Sequence, residues 1–168
     1  MNLIIDIGNT ACKLAVFEQG EIRETLRCSN QSLEGISALC ERYPIRKGIL
    51  SSVISINEEI RHQLSQLPFP VMEFTYRTPV PIKNLYETPQ TLGVDRLAAV
   101  VAAFTQMPYC PALVIDAGTC ITYDFIDELG HYRGGNISPG MDMRFEARST
   151  FTDERPPDNA YGPHSIRG

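Results

Sequence analysis

Short apolar runs broken by turn residues dominate the pattern along the chain, and helical spacing is confined to a few stretches. Leu3-Ile4-Ile5, Leu14-Ala15-Val16-Phe17 and Ile22–Cys28 are rich in β-branched and aromatic residues, and Glu18-Gln19-Gly20-Glu21 separates the last two. They predict a three-stranded meander. The cadence returns at Leu113-Val114-Ile115, Ile121–Ile126 and His131–Ile137, with Asp127-Glu128-Leu129-Gly130 as the turn. Between the two lie elements of other kinds. Leu33, Ile36, Leu39 and Cys40 recur at helical spacing and predict a helix from a Ser32 cap to Arg42. Lys47–Ile54 reads as a strand, Asn57 as the cap of a helix ended by Pro68, and Val71–Thr75 as a short strand. Pro79, Pro81 and Pro89 make Thr78–Gln90 a loop. Asp95–Gln106 is rich in Ala and Leu and predicts a helix, as does Met141–Arg148, where Met141, Met143 and Phe145 are expected to pack. Strand meanders with helices between them imply an α/β or α+β pair of domains, divided near Ala103–Pro111.

The two meanders are copies of one pattern. Laying Asp6 over Asp116 aligns Leu3-Ile4-Ile5-Asp6-Ile7-Gly8-Asn9-Thr10 with Leu113-Val114-Ile115-Asp116-Ala117-Gly118-Thr119-Cys120. In each, an apolar run ends in Asp, Gly follows two places later, and a small hydroxylated residue comes next. One Asp-x-Gly is an ordinary β-turn. Two with matching flanks on both sides argue for internal duplication.

Composition narrows the classes. The chain has 168 residues, of which 43% are apolar and 21% charged, which suits a packed core rather than disorder. Lys and Arg total 15 against 20 Asp and Glu, so the net charge is −5. An acidic chain is a poor generic binder of nucleic acid or anionic membrane. The longest apolar run, Leu97–Phe104, is far short of the roughly 20 residues of a membrane span. The start, Met1-Asn2-Leu3-Ile4-Ile5-Asp6, lacks a basic region and is not expected to be a signal peptide. Five cysteines, with no Cys-x-x-Cys, indicate neither a disulfide framework nor a zinc site. All five neighbour apolar residues and are expected to be buried thiols in a reducing cytoplasm. His62, His131 and His164 are scattered and point to solvated or capping roles. Ser51-Ser52 carries no Gly-x-Ser-x-Gly, so a serine hydrolase is not supported.

The Asp-x-Gly turns have a chemical use. Gly there permits positive φ and lets a ligand approach the backbone. Successive N–H groups in such a turn form a concave anion site, and the Asp can hold a metal ion directly or through water. Asn9, Thr10 and Lys13 add donors, Lys13 as a point charge on phosphate. Two such loops facing each other would grip a nucleoside triphosphate from both sides. A third candidate is Gly93-Val94-Asp95-Arg96 at a helix start. Asp95 is either a first-turn acid favoured by the dipole, beside a solvated Arg96, or a carboxylate placed to orient a substrate hydroxyl.

These residues resemble the two phosphate motifs of the acetate/sugar kinase, Hsp70 and actin superfamily. More narrowly the chain looks like a type III pantothenate kinase. Gly93-Val94-Asp95-Arg96-Leu97-Ala98-Ala99, Tyr86 with Pro89 shortly after it, and Gly134-Gly135-Asn136-Ile137-Ser138-Pro139-Gly140-Met141 fit that family in order and spacing. The resemblance implies an α/β fold of duplicated actin-like, ribonuclease H-like domains, with 1–106 as the first and 107–150 as an incomplete second. It implies ATP-dependent phosphorylation of pantothenate to 4'-phosphopantothenate, the first step of coenzyme A biosynthesis. Other small-molecule kinases of the superfamily, and a non-catalytic remnant, are the alternatives.

By the same resemblance, Asp95 is the catalytic residue. Asp6, Ile7, Gly8, Asn9, Thr10, Ala11, Cys12, Lys13 and Thr119 bind ATP, and Tyr86, Gly93, Val94, Asp95 and Arg96 bind pantothenate. Arg96 would take the substrate carboxylate, where a planar fork outperforms Lys. Asp116 would hold a monovalent cation, K⁺ or NH₄⁺, with Mg²⁺ accompanying the triphosphate. Gly134-Gly135 and Pro139-Gly140 are expected to shape a loop and a helix start. The family is cytoplasmic and homodimeric, with no nucleic-acid or membrane partner. After Phe145 the likeness fades, and 151–168, with Pro156, Pro157 and Pro163, is expected to be a disordered tail in a C-terminally truncated chain of low stability and activity.

Overall fold

Alternation of inward and outward side chains builds the first sheet of the computed structural model, which describes residues 1–151. β1 (Asn2–Ile7), β2 (Cys12–Glu18) and β3 (Glu21–Cys28) form the expected meander. β1 and β2 pair antiparallel from Asn2 opposite Phe17 to Ile7 opposite Cys12, and β2 pairs antiparallel with β3. The β2–β3 link is a two-residue turn in which Gln19 (φ 53°) and Gly20 (φ 86°) both lie in the left-handed region, the turn whose twist matches the flanking strands. β4 (Lys47–Ser52) adds parallel to β1, and β5 (Val71–Glu73) adds parallel to β4, so the order is β3-β2-β1-β4-β5. Parallel neighbours need crossovers. α1 (Ile36–Arg42) lies between β3 and β4 in the chain, and α2 (Glu58–Ser65) between β4 and β5. Leu3, Ile5, Ile7, Leu14 and Val16 cluster with Ile36 and Leu39 of α1 and Ile60 of α2. Burying each such side chain contributes about 1.5–3 kcal/mol.

The later elements are β6 (Lys83–Asn84), a 3₁₀ turn at Pro89–Thr91, α3 (Val94–Gln106), β7 (Ala112–Ala117), β8 (Cys120–Ile126), β9 (His131–Pro139) and α4 (Met141–Phe151). The second sheet has the order β6-β9-β8-β7, with β6 parallel to β9. Leu97 and Val100 of α3 cluster with Ile126 of β8, Tyr132 of β9, and Phe74 and Leu92. Contacts divide the chain into Met1–Val114 with Asp124–Gly134, and Ile115–Tyr123 with Gly135 onward. The architecture is a mixed α/β fold with two sheets.

Several expectations are corrected. The first helix begins at Ile36, not beside Ser32. Ser32 Oγ donates to Glu34 instead, and Gly35 (φ 84°) precedes the helix in the left-handed region that suits glycine, with Leu26 close beside it. The Thr78–Gln90 loop contains β6, because Lys83 and Leu85 donate backbone bonds to Gly130 and Tyr132. Gly134 and Gly135 lie inside β9 rather than in a loop. Met141, Met143 and Phe145 are exposed on α4 rather than buried, and Met143 Sδ lies 3.9 Å from Cys120 Sγ. Of the five thiols only Cys12 is fully buried, and Cys110 is exposed. Burial and the neighbouring Cys28 push the Cys12 thiol up to about 12. The Asn57 cap stands as expected, its Oδ1 accepting from Ile60 N at 2.8 Å. The expected tail lies outside the described residues, save Phe151 at the end of α4.

Candidate active site

The strand order brings three polar positions level at the end of the first sheet. Asp6 on β1 is opposite Lys13 on β2 and level with Ser51 on β4, so all three side chains leave the same face. Ser51 Oγ is buried with no hydrogen-bond partner among the described residues. The turn beyond Asp6 is closed by Gly8 N donating to Ala11 O at 2.9 Å. Asn9, Thr10 and Lys13 are exposed around it, and Ile7 and Cys12 anchor it in the core. Gly8 does not adopt positive φ, contrary to expectation, and neither does Gly118. What Gly8 supplies is room: a β-carbon there would stand 3.3 Å from Ala11 O.

Sequence reasoning missed the residue that holds this turn. Asn30 Nδ2 donates to Gly8 O at 3.2 Å and to Asn9 O at 2.7 Å. Two carbonyls are thereby drawn toward Asn30, which settles the attitude of the peptide groups between β1 and β2. Asn30 lies just past β3 with no local motif around it, so only the meander reveals it.

The residues expected on the acceptor side lie within the same unit. Asp95, in the first turn of α3, is exposed, and its Oδ1 accepts from Arg96 N at 2.8 Å. Gly93 makes room for that carboxylate, since a β-carbon on Gly93 would collide with Asp95 Oδ1. Arg96 is not solvated, as one of the two expectations had it. It is 6% exposed and bound to Asp124 on β8, itself 1% exposed. Arg96 Nε donates to Asp124 Oδ1 and Oδ2 at 3.1 and 3.0 Å, and Nη2 donates to Oδ1 at 2.6 Å. Tyr132 Oη donates to the same Oδ1 at 2.6 Å. Tyr86 lies over the guanidinium, 5.7 Å from ring centroid to Cζ, and stacks on Tyr132 at 6.1 Å with 8° between planes. The bond to Asp124 holds Arg96 firmly in its charged form, against the pull of burial. Burial, then the Asp124 bond, raises the Tyr132 hydroxyl well above its usual range, so it stays a donor. Asp124 and Tyr132 went unnoticed in the sequence because nothing local marks a carboxylate that finds its arginine 28 residues away.

In the other unit, Asp116 ends the apolar part of β7 and is exposed, as are Gly118 and Thr119. The turn is tighter than the first: Gly118 N donates to Cys120 O at 2.9 Å. Gly140, just before α4, lies against the carbonyls of Gly118 and Thr119, which a β-carbon would strike, and donates its N–H to Thr119 O at 3.0 Å. A carboxylate and backbone carbonyls are hard oxygen donors, the type that suits hard cations. Among the described residues no group of three His, Cys, Asp or Glu side chains converges. A divalent ion held by one or two carboxylates and substrate phosphates needs none. No described helix is long and apolar enough to cross a membrane.

The chain is similar to known proteins along most of its length. A solved Baf family transcriptional activator from Campylobacter jejuni shares the fold, with a TM-score of 0.54 at 22% identity over 90% of this chain and 61% of that one. A type III pantothenate kinase from Phocaeicola vulgatus is 60% identical over 168 residues, which is 100% of this chain and 69% of the relative. One from Bacteroides fragilis is 54% identical over 162 residues, 96% of this chain and 67% of the relative. With the sequence profile of that family matching residues 2–160 as well, the chain belongs to the type III pantothenate kinases.

Proposed function

We propose that the chain carries out the reaction for which its family is named, ATP-dependent phosphorylation of pantothenate at the entry to coenzyme A biosynthesis. The observation that carries this reading is the pairing of an exposed Asp95 with a buried, charged Arg96 at the start of α3, in the unit that also holds the Asp6 turn. Asp95 orients the 4'-hydroxyl and accepts its proton as the oxygen attacks the γ-phosphorus. The bond from that phosphorus to the bridging oxygen breaks, and ADP leaves. Arg96 binds the pantothenate carboxylate, and Tyr86, Gly93 and Val94 line the pocket. Residues 6–13, from Asp6 to Lys13, bind the triphosphate, and the family resemblance assigns Thr119 to ATP as well. Ser51 Oγ, buried and unpartnered beside Asp6, suits an oxygen of that ligand or of its hydrated ion. Asp6 would face Mg²⁺ and Asp116, with the carbonyls near Gly140, K⁺ or NH₄⁺. Those ions, when bound, neutralise charge on the phosphoryl oxygens.

The fold behind this is read as two actin-like domains, 1–106 and 107–150, the second incomplete, in a cytoplasmic homodimer. Both sheets begin with the same meander order, β1-β2-β3 and β7-β8-β9, which supports the duplication. The test is transfer of radiolabelled phosphate from ATP to pantothenate. Asp95→Asn is expected to cut turnover by about 10²–10⁴-fold while leaving ATP affinity nearly intact. Unchanged turnover in that variant removes Asp95 from its role, and nucleotide binding without any transfer by the unaltered protein overturns the reading as a kinase.

A further inference from the structure

A carboxylate stands in the core of the first unit at a position where the repeat has hydrocarbon. Aligned at the two Asp-x-Gly turns, Asp124 falls on Leu14; aligned at the first residues of β2 and β8, it falls on Val16. Leu14 and Val16 are both 0% exposed, and Asp124 is 1% exposed. An ion pair in such a place is weak ground for stability, because the cost of desolvating two charges offsets much of their attraction. An aliphatic residue would serve the core as well, as it does in the other copy.

The geometry points to a use. Asp124 meets Arg96 through Nε and Nη2, which fixes the plane of the guanidinium and leaves Nη1 outside that carboxylate's grip, with Tyr86 as a further side-chain partner of Arg96. The carboxylate is itself pinned by Tyr132 Oη at 2.6 Å. Tyr86, stacked on Tyr132, covers one face of the guanidinium. These contacts restrain the guanidinium of an otherwise flexible arginine, which is what preorganised binding of a planar anion requires. We propose that Asp124, fixed by Tyr132, is a positioning residue for the acceptor site. It grips Arg96 from within the core and presents Nη1 to the carboxylate of the acid substrate. This rests on the reading of Arg96 as the carboxylate-binding residue.

Steady-state kinetics with pantothenate and ATP varied in turn tests the idea on four proteins: unaltered, Arg96→Gln, Asp124→Asn and Tyr132→Phe. Asp124→Asn keeps an acceptor oxygen but loses the charge and half of the grip. It should raise the KM for pantothenate by about 10- to 100-fold, as a misplaced binding group does, with the KM for ATP within about twofold of the original. Tyr132→Phe removes one hydroxyl at constant shape and should raise the same KM by about 2- to 10-fold. If Asp124→Asn does not fold, Tyr132→Phe decides alone. A normal pantothenate KM in the folded variants, or equal losses toward both substrates, overturns the positioning role. If Arg96→Gln leaves the pantothenate KM unmoved, the reading of Arg96 falls and takes the proposal with it. If Arg96→Gln raises that KM and the Asp124 and Tyr132 variants do not, the reading of Arg96 stands and the proposal alone fails.

Discussion

Leu3 and Ile5 on β1 are 0% exposed, whereas Leu113 and Ile115, the residues aligned with them on β7, are 60% and 56% exposed. The two strands share a sequence pattern and differ in what covers them. In the first sheet, α1 and α2 follow the meander, bring β4 and β5 in parallel, and close over the inner face. In the second, the meander is followed among the described residues only by α4, whose Met141, Met143 and Phe145 are themselves exposed. Strand formation is therefore a local matter of alternation and turn chemistry, but burial depends on elements that come later in the chain. The turns teach the same lesson. The β2–β3 hairpin relies on two left-handed residues, whereas the β8–β9 hairpin has one, Gly130 (φ 76°), and adds the Asp127 carboxylate, which accepts from the N–H groups of Leu129 and His131 at 3.1 and 2.8 Å.

The sharpest way to break this comparison is to truncate matched residues. Leu3→Ala should destabilise the protein by about 2–5 kcal/mol, and Leu113→Ala by less than about 0.5 kcal/mol, in urea denaturation. Similar midpoints for the two variants would mean that the second copy is as well covered as the first. Next in size are the glycine of the first Asp-x-Gly turn and the glycine packed against the second. Gly140→Ala drives a methyl into the carbonyls of Gly118 and Thr119 and should cost about 1–3 kcal/mol. Gly8→Ala asks only a small retreat of Ala11 O and should cost under about 1 kcal/mol. Thermal melts of the pair would show whether the second turn is the less forgiving.

Asn30→Ala sharpens the comparison from the first turn, since Asn30 bonds two of its carbonyls. The loss should be about 1–2 kcal/mol in ATP affinity, measured by calorimetry, with the KM for pantothenate unchanged. An unaltered ATP affinity would show that the turn holds its shape without Asn30. The smallest effect concerns pH. Burial alone would raise the Asp127 carboxyl, but the His131 N–H and the Arg133 guanidinium outweigh it and hold it at about 2, below its usual 3.8. Its charged form therefore adds stability above about pH 4, and that stability is lost as pH falls toward about 2. Asp127→Asn should flatten the acid limb of the melting profile across that window, and a limb of unchanged slope would assign it to other carboxylates.

Much of this was legible from residues close in sequence. The six strands of the two meanders, the Asn57 cap, the helix beginning beside Asp95 and the duplicated Asp-x-Gly turns follow from alternation, capping chemistry and glycine placement, all of which act within a few residues. Other features depend on residues far apart in the chain. Gly35 keeps the first helix from starting at Ser32 because its backbone lies in the left-handed region, beside Leu26 on β3. Arg96 keeps a solvated reading open until β8 brings Asp124 to it, and nothing near Asn30 in the chain marks it until β3 returns it to the Gly8 carbonyl. The sequence by itself determined which segments become strands, helices and turns, because those preferences are settled by backbone sterics and nearest neighbours. Only the tertiary structure decided which charge is buried, which apolar face is left uncovered and which polar side chain holds a loop, because desolvation and hydrogen bonding depend on partners that only folding brings together.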